Sequence, residues 1–316
     1  MSQRKILFIL PTAKVFTGGE KVNMHLLKIA KQANYDTELF ELDISENKIP
    51  KWLKRLISIR YLGRAFKSIY FLTVSPKCYK SICFTDYYSV KDLFFYLLIL
   101  RVFFRCINLC YFHQLSSDIY DLRTSGKIKT LRDNISLLVF NLVLVNSEFN
   151  KKVVLSLRVP EKRIRVLYPL LIDRQIYNSK NDRKSNAKIR FLFVGGSFKR
   201  KGILYAIKAI KLLNRKDIEF NIVGDINKEK EYVHCLMKMV IEDSLNDQIR
   251  FLGRVDDKTL DSLWRNSDVF LFPTLFEGFG IVITEAMLYQ LPIISTNVTV
   301  IPELVEDGES GILVPP

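Results

Sequence analysis

Phe276-Glu277-Gly278-Phe279-Gly280-Ile281-Val282-Ile283-Thr284-Glu285-Ala286 sets two carboxylates eight residues apart around a glycine turn and a helix start. Gly278 and Gly280 carry no Cβ, so the backbone there can approach a ligand closely and take conformations closed to other residues. The helix opening behind them offers unpaired N–H groups to an anion. Glu285 falls on that helix and is expected to present a hydroxyl acceptor to the same cleft.

Around this stretch the chain alternates short apolar runs with helix-length amphipathic segments. Strands are expected at 189–194, 218–223, 249–252, 269–272, 292–294 and 312–314. Helices are expected near 202–214, 229–242, 256–265, 280–290 and 299–305. The first half shows the same alternation. Residues 4–10 read as a buried strand ending at Pro11, followed by the turn Thr17-Gly18-Gly19 and a helix from Glu20 with Val22, Leu26, Ile29 and Ala30 on one face. Further strands fit 37–42, 80–84, 107–112, 142–145 and 164–167. Between the halves the sequence turns polar (Asn178-Ser179-Lys180-Asn181-Asp182-Arg183), as a linker does.

The fold class is therefore α/β, with two doubly wound Rossmann-like domains at 1–170 and 189–316 and a linker at 171–188. A length of 316 residues agrees with two domains. Ligands of such sheets bind beyond the carboxyl ends of the strands, so two facing domains are expected to enclose an interdomain cleft.

Phe193-Val194-Gly195-Gly196-Ser197-Phe198-Lys199-Arg200-Lys201-Gly202 leaves the first strand of the second domain and enters a helix. It brings three cations and a glycine turn to a helix N-terminus, where phosphate is the natural guest. Five cysteines (Cys78, Cys83, Cys106, Cys110, Cys235) lack paired C-x-x-C spacing and read as reduced and mostly buried. With histidines only at 25, 113 and 234, and without a D-x-D carboxylate pair, no metal site is expected. The start of the chain lacks the pattern of a signal peptide, which gives a cytoplasmic expectation.

The segment 276–286 resembles the E-x7-E signature of family-4 (group 1) glycosyltransferases of the GT-B fold, and the resemblance runs, with gaps, over nearly the whole chain. It implies transfer of a sugar from a nucleoside diphosphate sugar to an acceptor hydroxyl, with retention at the anomeric carbon and with no metal or other cofactor. By that resemblance Glu277 and the loop Gly278-Phe279-Gly280 face the donor sugar, and Glu285 binds the ribose. Arg200 and Lys201 match the R-K-G version of the diphosphate-binding turn seen in relatives resembling lipopolysaccharide-core glucosyltransferases, while Gly196 stands where other members have Arg. Val223-Gly224-Asp225 and Phe251-Leu252-Gly253 match segments near the nucleobase. Pro302-Glu303-Leu304 matches a scaffold segment. In the first domain, Gly18 keeps one glycine of the family's G-G-x-E-[RK]-V turn, with Thr17 in place of the other. His113 matches a histidine that faces the reacting sugar. Glu277 and His113 are thus the implied catalytic residues. Family members continue beyond the position of Pro316, so the resemblance implies either a fragment or an unusually short member, with a second domain shorter than the family's.

A rival reading is a catalytically impaired relative, suggested by Thr17 and Gly196, that binds a sugar nucleotide or a membrane surface. Nucleic-acid binding is suggested only by the net charge of +15, and no recognition motif supports it. Residues 1–150 hold 22 Lys/Arg against 12 Asp/Glu, a net +10. Such a field favours anionic partners. Residues 51–67 place Trp52, Tyr61 and Phe66 among six lysines and arginines, the composition of a helix lying on anionic lipid. The apolar run at 93–100 is too short to span a bilayer and reads as a buried helix. The partners expected are a nucleotide-sugar donor, a glycan or lipid-linked acceptor and an anionic membrane surface, with a location at the inner face of a membrane. Charge reversal of Lys51, Lys54, Arg55 and Arg60 to Glu is expected to lower co-sedimentation with anionic vesicles, and unchanged co-sedimentation would remove the surface from this account.

Overall fold

Strands rich in Ile, Leu, Val and Phe are suited to burial on both faces, which is the situation of a parallel sheet covered by helices. The structure, a computed structural model, has two such sheets. It describes residues 6–10, 18–41, 82–86, 97–99, 101–103, 106–113, 137, 139–169, 188–196 and 198–316. The chain divides into compact units at Met1–Leu170 and Leu171–Pro316. The linker expected at 171–188, except for Lys188, the basic segment 51–67, Thr17 and most of 93–100 lie outside the described residues.

In the first unit β1 (Ile6–Leu10), β2 (Thr37–Glu41), β3 (Ile82–Asp86), β4 (Ile107–Phe112), β5 (Leu142–Val145) and β6 (Ile164–Val166) lie in the order 2-1-3-4-5-6. Every pairing is parallel. Helix α1 (Gly18–Gln32) starts two residues earlier than its sequence suggests. Its buried residues are Val22, Asn23 and Leu27, whereas Leu26, Ile29 and Ala30 are only part-buried. β3 lies two residues beyond its expected bounds, where Ile82 pairs with Ile6 and Ile107 on its two sides. Helix α2 (Glu148–Ser156) is capped by Ser147, whose hydroxyl accepts from the Asn150 N–H at 3.0 Å. The buried Asn108 donates its amide to the carbonyls of Leu97 and Val139 at 2.9 and 3.1 Å, fixing those segments to β4.

In the second unit β7 (Ile189–Val194), β8 (Ile218–Val223), β9 (Ile249–Gly253), β10 (Val269–Phe272), β11 (Ile293–Thr296) and β12 (Gly311–Val314) form a sheet in the order 12-11-10-7-8-9. Its pairs are parallel too. Helices α3 (Ile203–Leu213), α4 (Lys230–Glu242), α5 (Asp257–Asn266), α6 (Ile281–Leu288) and α7 (Ile301–Leu304) connect these strands. The order reverses between β7 and β10, the crevice where open parallel sheets bind their ligands.

Fully buried Phe193, Phe198, Phe220, Phe270, Phe272 and Trp264 form much of the core. Each such side chain stabilises by roughly 1.5–3 kcal/mol. Phe193 lies 5.7 Å from Phe272 between ring centroids, and Trp264 stacks on Tyr289 at 5.7 Å. Gly224 is fixed by space, since a Cβ there would stand 1.9 Å from the Gly195 carbonyl oxygen. The β7 and β8 ends thereby come close together, joined by Gly195 N–H donating to the Val223 carbonyl at 2.9 Å. Beside them the β8–β9 register shifts at Val223, which pairs with Gly253. Such irregularities re-aim a strand end.

Candidate active site

The switch point brings together the two stretches that the sequence singles out. β7 leads to Arg200-Lys201-Gly202, and its neighbour β10 leads to Glu277-Gly278-Phe279-Gly280. The link is short because Gly202, at φ 69°, lets the backbone pass where a Cβ would sit 1.9 Å from the Pro273 carbonyl oxygen. Leu275 N–H then donates to the Arg200 carbonyl at 2.9 Å.

Across this junction Arg200 Nη1 donates to the Phe276 carbonyl and, at 3.2 Å, to Glu277 Oε1. Lys201 Nζ reaches the same Oε1 at 3.4 Å. Glu277 is 7 % exposed and Lys201 9 %, so this is a buried cluster. The ammonium also lies 4.6 Å above the Phe272 ring centroid. Its methylene stem runs past Gly195, where a Cβ would approach its Cδ to 2.5 Å. Burial holds the Lys201 pKa below the usual lysine range. Glu277 opposes this most strongly, Arg200 adds to the lowering, and the charge of Glu285 opposes it as well.

Glu285 is 3 % exposed and lies on α6, whose N-cap is Gly280 at φ 86°. Two carboxylates and two cations therefore meet beyond the carboxyl ends of β7 and β10. Phe276, Gly278 and Phe279 are buried alongside them. Asp225, at the end of β8, pairs with Arg254 at 3.2 Å beyond β9.

Three threonines brace this loop, and sequence reasoning did not single them out as supports. Thr274 Oγ1 donates to the Phe276 carbonyl at 3.1 Å. Thr296 Oγ1 donates to the Thr274 carbonyl. Thr299 Oγ1 accepts from the Glu277 N–H at 3.3 Å. α7 begins after Thr299 rather than at it, because Thr299 has φ 48°.

The profile of glycosyl transferases group 1 matches residues 174–316. The second unit belongs to that family. Curated proteins resemble part of the chain as well. A Klebsiella pneumoniae protein described as an uncharacterized 41.2 kDa protein in the cps region is 32% identical over 178 residues, 54% of this chain and 47% of that protein. The Escherichia coli O-antigen chain mannosyltransferase B is 31% identical over 128 residues, 40% of this chain and 32% of the enzyme. The chain thus spans about half the length, or less, of the curated relatives it matches. Anabaena Alr3699/HepE, solved in complex with UDP and glucose, superposes with a TM-score of 0.69 over 99% of this chain and 86% of its own, at 18% identity. That likeness is one of fold, and both sheets are those of the GT-B glycosyltransferases.

In the first unit Gly18 opens α1 after β1. His113 follows β4, and its Nε2 meets Asn23 Oδ1 at 3.1 Å. Its carbonyl accepts from the side chains of Asn146 and Asn150 at 2.9 and 3.2 Å. Asn23 had one sequence signal, a polar residue beside Val22 on the apolar side of a helix. Burial pushes the His113 pKa down to about 4, so the imidazole is neutral near pH 7.

The folded-state pKa lies below the unfolded value of about 6.5. Stability is therefore fully present above that pH and is lost as pH falls toward about 4, by up to about 3 kcal/mol. Urea unfolding of wild type and His113→Gln near neutrality and at about pH 4.5 checks this. The variant is expected to lose less stability across that interval.

Proposed function

We propose that this chain carries out sugar transfer from a nucleoside diphosphate sugar to an acceptor hydroxyl, with retention and without a metal ion. The observation that carries the reading is the convergence of Arg200 and Lys201 on Glu277 at the sheet's switch point, with Glu285 close enough to influence Lys201. A diphosphate needs fixed positive charge as the bond to the sugar breaks. Arg200, Lys201 and the N–H groups at helix starts supply it in a site removed from water.

The roles follow from the chemistry of each group. Arg200 suits a bidentate grip on phosphate oxygens, and Lys201 acts as a point charge beside it. Glu285 accepts hydrogen bonds from ribose hydroxyls. Glu277 accepts from a sugar hydroxyl and faces the positive charge that develops at the anomeric carbon. Gly278, Phe279 and Gly280 let the backbone close on the sugar, and Gly18 offers backbone to the donor or acceptor. His113, as a neutral imidazole fixed by Asn23, hydrogen-bonds a reacting hydroxyl without adding charge. Relatives described by a cps region and by O-antigen chains support a membrane-linked glycan or polysaccharide as acceptor. A hexose donor fits the mannosyltransferase relative and the neighbour solved with UDP and glucose. Among the described residues no helix is long and apolar enough to cross a membrane. We assign the protein to the cytoplasmic face of a membrane, where such donors are found.

A thermal-shift panel of UDP-glucose, UDP-galactose and GDP-mannose tests the reading. At 100 times its dissociation constant a true donor stabilises the folded state by about 2.7 kcal/mol, and Tm rises accordingly. Glu285→Ala is expected to abolish most of that rise. Absence of a shift with every nucleotide sugar contradicts the proposal, and a shift without any transfer points to the impaired relative.

A further inference from the structure

Among the described residues six non-glycine positions have positive φ: Asn34, Arg158, Asn214, Ser244, Gln290 and Thr299. The first five follow the C-termini of α1, α2, α3, α4 and α6, where a left-handed residue is the ordinary way to end a helix. Thr299 is different on two counts. It stands before a helix, and it is the β-branched member of the set, the side-chain class that tolerates φ 48° least. Threonine, not the glycine or asparagine that usually occupies such a position, stands here, and the asparagine of this stretch, Asn297, lies two residues earlier.

The surroundings hold the conformation in place. On one side Thr296 is buried and its hydroxyl donates to the Thr274 carbonyl. On the other, Val300 and Ile301 are fully buried, and Ile301 N–H donates to the Val298 carbonyl at 3.0 Å across the turn. What the turn delivers is the Thr299 hydroxyl, which receives the Glu277 N–H at 3.3 Å. The Glu277 carboxylate is the group on which Arg200 and Lys201 converge. Strained backbone of this kind persists where the structure around it over-determines it, and it clusters at functional sites.

We propose that Thr299 is a positioning residue for Glu277, kept in a costly backbone conformation so that its hydroxyl fixes the Glu277 main chain beneath the cation pair. The catalytic meaning rests on the proposed donor site, while the contact itself does not. Stability and function then pull in opposite directions at one position. Thr299→Gly relieves the backbone and removes the hydroxyl, Thr299→Ala removes the hydroxyl and the γ-methyl but keeps a Cβ at left-handed φ, and Thr299→Ser keeps the hydroxyl.

The test measures Tm, amide hydrogen exchange at Glu277, and the dissociation constants of UDP-glucose and GDP-mannose for wild type and the three variants. Thr299→Gly is expected to raise Tm by about 2–5 °C. It is also expected to speed Glu277 exchange and weaken the bound donor about 5- to 10-fold. Thr299→Ala shares the last two effects without the rise in Tm, and Thr299→Ser stays within about twofold of wild type in both. Glu277 exchange unchanged in Thr299→Gly and Thr299→Ala, or a serine variant as impaired as the glycine one, overturns the proposal. Wild type that binds neither nucleotide sugar overturns the donor site, and the exchange measurement still decides the Thr299 contact.

Discussion

A buried ammonium is the constraint around which the second unit is organised. Removing a lysine charge from water costs several kcal/mol even after local relaxation, and the folded state accepts this only with a partner in good geometry. At Lys201 the partners are the Glu277 carboxylate, the face of Phe272 and the more distant charge of Glu285. Removal of Glu277 would leave Lys201 and Arg200 facing one another, which is the state a diphosphate is suited to neutralise. The carboxylate therefore both stabilises the ligand-free fold and competes with the proposed donor for the same cations.

The backbone makes this cluster possible through close approaches that side chains would block. Gly195 leaves room for the lysine stem, Gly202 for the Pro273 carbonyl and Gly224 for the Gly195 carbonyl. By contrast, among the described residues no atom within 4 Å would meet a Cβ at Gly196. The absent side chain there reflects no packing demand within the unit. The threonines at 274, 296 and 299 then tie the loop after β10 to the loop after β11, so that Glu277 is fixed through its main chain as well as its carboxylate.

Much of this was legible in the sequence because the signals were physical and repeated. Apolar runs located β4, β5, β7, β8 and β10 with their observed bounds; β5 and β10 consist wholly of Val, Leu and Phe, while Asn108, Arg190, Glu219 and Asn221 interrupt the other three. Glu277, Glu285, Arg200 and Lys201 stood out as charged groups beside glycines at strand ends, and the structure gathers all four. The bounds of β3 and the start of α7 lie two residues from the expectation because sheet pairing and one left-handed threonine, neither visible in local composition, set those limits. The bracing threonines and Asn23 were missed for a related reason. Thr296, Thr299 and Asn23 meet partners 22, 22 and 90 residues away, and such contacts have no periodicity to reveal them.

The most direct test of the account is isothermal titration of UDP and of GDP into wild type and Lys201→Met. Methionine keeps the apolar stem beside Gly195 and Phe272 and removes the buried charge, so the fold is retained while the proposed phosphate contact is lost. The account predicts binding of at least one nucleoside diphosphate to wild type and a loss of at least about tenfold in the variant. Equal affinity in the two proteins would contradict it.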